Sequence, residues 1–123
     1  MTAPVFDLRQ EIMRVNNNVN IALFGTGLRK QRVMLVDCNV LIMADHKRIP
    51  ALAALDRKER MTTRFIDIAI LDEYKLRLKE ELIGQLRLPV VSVLKDYDPE
   101  RELAVTVIVL DEAFVKKHLE QAR

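Results

Sequence analysis

Residues 62–86, TTRFIDIAILDEYKLRLKEELIGQL, predict one long helix from Thr62 to Leu86. Apolar residues in and just before this stretch recur at steps of three, four and seven positions, which aligns them on one helix face. They are Met61, Phe65, Ile68, Leu71, Leu78, Leu82 and Leu86. Ile66, Ala69 and Ile70 fill the other side of the first half. We therefore expect that half to be buried on more than one side, with Phe65 in the core and Thr62 or Thr63 as the cap.

The N-terminal part of the chain predicts a helix followed by a hairpin. Helical spacing favours a helix from Pro4 to Phe24, but the run Asn16-Asn17-Asn18 predicts a soft middle or a break, because asparagine competes for backbone hydrogen bonds. Gly25-Thr26-Gly27 follows a helix, which favours a helix stop over a phosphate loop. Strands are expected at Arg32 to Cys38 and at Asn39 to Asp45. Their continuous apolar runs indicate that both faces are covered, by a helix of this chain or by another subunit.

The residues beside the long helix predict a short helix and a second hairpin. Ala51 to Arg60 is expected to be helical, with Leu52 and Leu55 pointing inward. Val90 to Lys95 and Glu102 to Leu110 are expected to be strands, because β-branched residues are frequent in the second of them. The polar connection between them, residues 96–101, is expected to be a surface loop.

The order of these elements predicts the fold class. Asp111 is expected to cap a last helix that runs through Leu119. The order is then α-ββ-αα-ββ-α, and we expect a single α+β domain over residues 1–123. In this domain two β-hairpins form a mostly antiparallel four-stranded sheet packed on a long central helix.

The titratable side chains do not form a pattern that predicts catalysis, a cofactor or a metal. His46 and His118 lack a second ligand at zinc spacing, and a surface role is predicted for both. Cys38 follows a carboxylate, which disfavours the thiolate. Three acids in the second hairpin connection offer oxygen ligands, but the glycine and the distal ligand of a calcium loop are missing. They are Asp96, Asp98 and Glu100. We therefore predict a non-enzymatic protein without cofactor or metal.

The charges are distributed unevenly along the chain. Residues 29–64 hold nine Lys or Arg against four acids, whereas residues 65–123 hold nine against twelve. A basic segment attracts nucleic-acid phosphates or an anionic membrane surface, and the alternative is a solvated face without a partner. The candidate binding residues are Arg29, Lys30, Arg32, Lys47, Arg48, Arg57 and Lys58. Four Phe, two Tyr and no Trp leave few platforms for stacking bases, so nucleic acid is the weaker partner.

Compartment and assembly follow from more general features. No apolar run approaches the ~20 residues that span a bilayer, and the N-terminus has no basic segment followed by an apolar one. The single cysteine fits a reducing setting, so a cytoplasmic location is predicted. A domain this small has much surface for its volume, and its two apolar hairpins predict a homo-oligomer, with a dimer favoured.

The second hairpin combines Val90-Val91-Ser92-Val93, a connection with Asp96 and Asp98-Pro99, and the strand Val105 to Leu110. These segments resemble the C-terminal signature of a bacterial family, the MpsC component of a Na⁺-translocating membrane-potential-generating system. Phe24-Gly25 matches the step that ends the family's N-terminal helix, and a hydrophobic hairpin at Val33 to Met43 and a long charged helix follow in the family's order.

This resemblance covers most of the chain and brings no catalytic residues with it. It implies a small accessory or regulatory protein that acts by binding, peripheral to a membrane ion-transport system at the inner face of the membrane. A membrane protein or the anionic membrane surface is then the expected partner. The residues alone leave open the alternative of a nucleic-acid-binding module that uses the basic segment 29–64.

Overall fold

The computed structural model describes residues 5–119, with side chains from Leu8 to Lys117. Its helices are α1 (Val5–Phe24), α2 (Pro50–Asp56), α3 (Arg60–Leu86) and α4 (Glu112–Phe114), and α4 continues as a π-helical turn over Val115–Leu119. Its strands are β1 (Lys30–Val36), β2 (Asn39–Asp45), β3 (Val90–Asp98) and β4 (Leu103–Leu110). The predicted order is confirmed, and the predicted helix start at Pro4 lies outside the described residues.

The four strands form one sheet in the order β1-β2-β4-β3, with every neighbouring pair antiparallel. The predicted α+β class is therefore confirmed, and the two hairpins join through their second strands. β3 extends past the predicted end at Lys95, so Asp96 and Asp98 lie in the strand and not in a loop. A register shift between Val90 and Ser92 places a bulge at the start of β3.

α1 and α3 pack side by side on one face of the sheet, where α1 contacts β1 and α3 contacts β3. The core lies between these two layers. Its fully buried members include Ile12 and Val15 of α1, Leu78 and Leu82 of α3, and Val40, Ile42 and Ile108 of the sheet. None of the described elements covers the opposite face of the sheet, so a second cover from this part of the chain is absent and a cover from another subunit stays a prediction.

The predicted break in α1 is wrong, because α1 runs without interruption through its asparagines. Asn16 and Asn20 are buried, and the Asn16 side chain finds partners outside its own helix. Asn16 Nδ2 donates to Gln31 Oε1 of β1 at 3.0 Å, and the Tyr74 hydroxyl of α3 donates to Asn16 Oδ1. Asn20 Nδ2 donates to the Asn16 carbonyl at 2.8 Å. The bonds of Asn16 join α1 to β1 and α3, so this side chain does not compete for the helix backbone, and Asn20 bonds back to a helix carbonyl without interrupting α1.

The predicted helix stop after α1 is confirmed. Gly25 has φ of 77° and donates its N–H to the Ile21 carbonyl at 2.8 Å, a left-handed helix end that favours glycine. Asn17 Oδ1 accepts the Leu28 N–H at 2.9 Å. A Cβ on Gly27 would lie 2.6 Å from that oxygen, so glycine allows this clip to form.

The ends of the helices differ from the prediction in three places. α3 begins at Arg60, without a side-chain cap among the described residues, and Thr63 is buried within its first turn. α2 is shorter than predicted, and Leu55 is 40% exposed instead of pointing inward. The prediction for Asp111 is confirmed, because its carboxylate accepts the Phe114 N–H at 3.1 Å.

Candidate functional site

The predicted basic residues lie in three places along the fold. Arg29, Lys30 and Arg32 lie at the start of the edge strand β1, Lys47 lies in the loop after β2, and Arg57 and Lys58 lie in the connection between α2 and α3. All six are exposed. The seventh, Arg48, is only 7% exposed. Arg48 therefore does not belong to an open basic surface, and its inclusion in the candidate set requires correction.

Arg48 is held by two carboxylates. Its Nε and Nη2 donate to Asp56 at 3.0 and 2.8 Å, and its Nη1 and Nη2 donate to Asp67 at 2.6 and 3.1 Å. Its backbone N–H donates to Glu102 Oε2 at 2.6 Å. Burial alone would lower the pKa of Arg48, but the hydrogen bonds to Asp56 and Asp67 outweigh burial and raise it. The hydrogen bonds from Arg48 also lower the pKa of the Asp56 carboxyl to about 2. Arg48 thus joins α2, α3 and the turn before β4.

His46 is buried beside this network, so the predicted surface role is wrong for His46. Its ring meets Phe24 edge-on at 4.4 Å between centroids and lies 5.3 Å from the ring of Tyr97. Burial, followed by the nearby charges of Lys95 and Arg48, lowers the pKa of His46 to about 4. The imidazole is therefore neutral at pH 7 and packs as an aromatic ring. The side chain of His118 lies outside the described residues.

A lysine that the sequence analysis did not single out lies next to His46. Lys95 of β3 points toward the helices, and its Nζ lies 3.4 Å from the centroid of the Tyr74 ring. Burial lowers the pKa of Lys95 to about 7, while the ring face opposes this shift because it attracts the ammonium. The alternation of β3 was the available signal, since Lys95 shares the inward phase of Val93 and Tyr97.

The cavity at Lys95 is too small for a substrate. It measures ≈ 30 Å³ and is lined by aromatic and apolar side chains, among them His46, Tyr74 and Tyr97, and by four charged residues, Lys47, Arg48, Asp67 and Lys95. Such a volume holds about two water molecules. A lysine with a pKa near 7 is chemically suited to act as a nucleophile, but no organic substrate fits beside it here. The cluster therefore has the features of a packed polar core.

α3 exposes large apolar side chains, and the exposure of Met61, Phe65 and Ile68 contradicts the predicted burial of its first half. Met61 is 69% exposed, Phe65 68%, Ile68 54% and Leu76 54%. Their spacing places these four residues on one helix face, opposite the buried Tyr74. We call this face the α3 stripe. Residues 57–65, which include its first two members, hold four bases and one acid.

Asp98, one of the three acids considered as oxygen ligands in the second hairpin connection, has a structural role. Asp98 Oδ1 accepts the N–H groups of Glu100 and Arg101 at 3.0 and 3.2 Å, so this acid stabilises the turn between β3 and β4. Among the described residues, no group of His, Cys, Asp or Glu is arranged to hold a metal ion. Within the same residues, none of the helices is both long and apolar enough to cross a bilayer.

Comparison with protein-family models, with curated proteins and with solved structures finds no match to this chain. The resemblance to the MpsC family therefore stays a prediction that depends on the residues named for it.

Proposed function

We propose that this protein is a small non-catalytic accessory or regulatory protein that acts by binding, and that it docks peripherally on an anionic membrane surface at the cytoplasmic side. The observation that carries the proposal is the exposure of Met61 and Phe65 beside the bases Arg57, Lys58 and Arg64. Apolar side chains that enter the interface, combined with bases that meet the headgroups, are the features by which peripheral proteins bind anionic lipid.

Two further points support this proposal. Exposed apolar side chains on a helix are unfavourable in water, so a partner that covers Met61, Phe65 and Ile68 would stabilise the bound state. The resemblance to the MpsC family supports a place beside a membrane ion-transport system. Each exposed base near an anionic surface adds about 1 kcal/mol to binding at physiological salt.

Nucleic-acid binding remains the alternative use of the same bases. Phe65 could stack on a base, but Met61 and Ile68 on the same face offer no donor to a phosphate or a base edge. Their presence beside the bases favours lipid over nucleic acid.

Co-sedimentation of the full chain with liposomes tests the proposal. Vesicles of phosphatidylcholine alone and with added phosphatidylserine are compared at low and at physiological salt. We expect binding that requires the anionic lipid and weakens with salt. The double variant Met61→Ser/Phe65→Ser should reduce the binding constant at least about tenfold. Leu76→Ser is the control, because Leu76 lies on the same stripe but about three helical turns after Phe65, away from Arg57, Lys58 and Arg64, and is expected to matter little.

The charge contribution has its own variants. Arg57→Glu/Arg64→Glu should abolish the salt-sensitive part of the binding, whereas the single reversal Arg29→Glu, in the loop before β1, should leave most of it. Absence of binding to anionic vesicles at low salt would overturn the proposal. A salt-sensitive shift with duplex DNA or RNA, without vesicle binding, would establish the nucleic-acid alternative.

A further inference from the structure

The face of the sheet turned away from α1 and α3 is apolar and uncovered by any described element. Strand register places two apolar rows across its centre. One row is Met34, Leu41, Val107 and Leu94, and the next includes Met43 and Val105. None of these six is buried, and Leu94 is 55% exposed. We call this surface the open face.

The size of the open face suits a second sheet. Four strands at ~4.8 Å spacing, with seven residues each at ~3.4 Å, give a surface of roughly 19 by 24 Å. In β-sandwiches such faces are covered by another sheet about 10 Å away. The open face therefore has the dimensions and the composition of half a sandwich core.

Its two edges carry opposite charges. Lys30 and Arg32 lie on β1, in the outward phase of Met34. Asp96 and Asp98 lie on β3, in the outward phase of Leu94. The register puts Arg32 and Asp96 at opposite ends of one cross-strand row, with Met43 and Val105 between them.

The next row repeats the pattern. Lys30 and Asp98 lie at its opposite ends, with Asp45 and Leu103 between them. Asp45 is the one acid on the two central strands in these rows, and its cross-strand partner is Lys30. One edge of the open face is thus basic and the other acidic at the same height along the strands.

We propose that the open face binds the open face of a second copy, about a two-fold axis that runs parallel to the strands between β2 and β4. This rotation lays β1 of one copy over β3 of the other and keeps each row at its height. Arg32 then meets the Asp96 of the second copy, Lys30 meets its Asp98, and the apolar rows stack on each other. Every charged pair occurs twice, as a two-fold axis requires.

The charges select this axis over the other possible one. A two-fold axis in the plane of the interface but perpendicular to the strands would lay β1 over β1 with its direction reversed. Lys30 and Arg32 would then face the apolar end of β1, which holds Met34 and Val36, and would lose water without gaining a partner. The sandwich twist displaces the edges by a few ångströms, which the long Arg and Lys side chains accommodate.

The dimer is tested by sedimentation velocity and light scattering of the full chain in the absence of lipid. We expect the wild type to be a dimer at micromolar concentration. Val107→Lys places an unpaired charge at the centre of the open face and should give a monomer with an unchanged circular-dichroism spectrum. A wild type that is monomeric throughout the micromolar range would overturn the proposal.

Charge exchange tests the axis itself. Arg32→Glu alone and Asp96→Lys alone each place like charges together twice, so each should raise the dimer dissociation constant by about tenfold or more. An equimolar mixture of the two variants should restore the dimer, because in the heterodimer one pair is exchanged in sign and the other is native. Recovery on mixing also shows that both variants are folded.

Controls separate this surface from the membrane surface. Arg64→Glu makes the same charge change on the helical side and should leave the dimer intact. Single variants that dimerise as the wild type does, or a mixture that fails to recover, would overturn the proposed axis. The inference is independent of membrane docking, since the α3 stripe points away from the sheet and the dimer is measured without vesicles.

Discussion

Lys95 brings a cation against an aromatic ring inside the fold, and its burial makes the stability of the protein depend on pH. Its pKa is about 7 in the folded protein and about 10.4 in an unfolded chain. Between these values the unfolded chain binds the extra proton, so stability rises with pH from about 7 to about 10.4. Below pH 7 the folded protein bears the full cost of the buried charge, reduced by the attraction of the Tyr74 ring.

Replacing this lysine should therefore stabilise the protein. Lys95→Met keeps an unbranched side chain and removes the charge, so we expect the free energy of unfolding to rise by about 2 to 3 kcal/mol at pH 6.5. The gain should shrink as the pH rises toward 10. Urea unfolding at several pH values measures both effects, with Lys79→Met on the outer part of α3 as the control. Equal gains at pH 6.5 and pH 9.5 would contradict this account.

For a single residue, the sequence predicts the face of the strand or helix on which its side chain lies, but not which side chains contact it there. Alternation along β3 places Lys95 inward, yet only the fold brings the ring of Tyr74 over it. The burial of Arg48 and His46 follows from α2, α3 and the turn before β4, which are distant in sequence. Isolated charges in a loop look the same in sequence whether they are exposed or paired in this way.

Among the elements, Arg48 is the point where the loop after β2, α2 and α3 meet. Arg48→Met would remove the hydrogen-bonded partner of Asp56 and Asp67, which are 24% and 18% exposed, and would leave them the longer ion pairs with Arg60 at 3.6 and 3.8 Å. We expect a loss of about 3 kcal/mol in the free energy of unfolding, and a smaller loss for Arg48→Lys, which keeps the charge but not the forked geometry.

Chemical denaturation measures these losses against a surface pair. Arg77 and Glu73 form an exposed i,i+4 pair on α3 at 3.6 Å, and Arg77→Met should change stability by less than about 0.5 kcal/mol. If Arg48→Met were as mild as Arg77→Met, the proposed role of the Arg48 network would be wrong.

α3 shows what periodicity does and does not predict about an element. The spacing predicts its existence and its end at Leu86, and Leu78 and Leu82 are buried as expected. The same spacing assigns Phe65 to the core, where it does not lie. Periodicity identifies an apolar face, but another element, a membrane or another molecule can cover that face. We propose an anionic membrane as the cover of this face, because basic residues lie nearby.

For the whole molecule, the element order predicts the α+β class because each hairpin has a short local turn. The strand order was not predictable, since nothing local specifies which strands of the two hairpins pair. The continuous apolar runs of the first hairpin predict covers on both faces, yet α1 and α3 supply one cover only. The open face is therefore the part of the prediction that the isolated chain leaves unfulfilled, and a second copy would complete it.

The seam between the hairpins also determines how the chain folds. β1–β2 and β3–β4 can each form within microseconds, but the residues paired between β2 and β4 are about sixty positions apart. We therefore expect the closing of that seam, with α3 in between, to be the slow step. Ile42→Val, in the middle of β2, should slow refolding and leave the unfolding rate nearly unchanged. Stopped-flow kinetics in urea would measure both rates. A change confined to the unfolding rate would show that β2 and β4 pair only after the transition state.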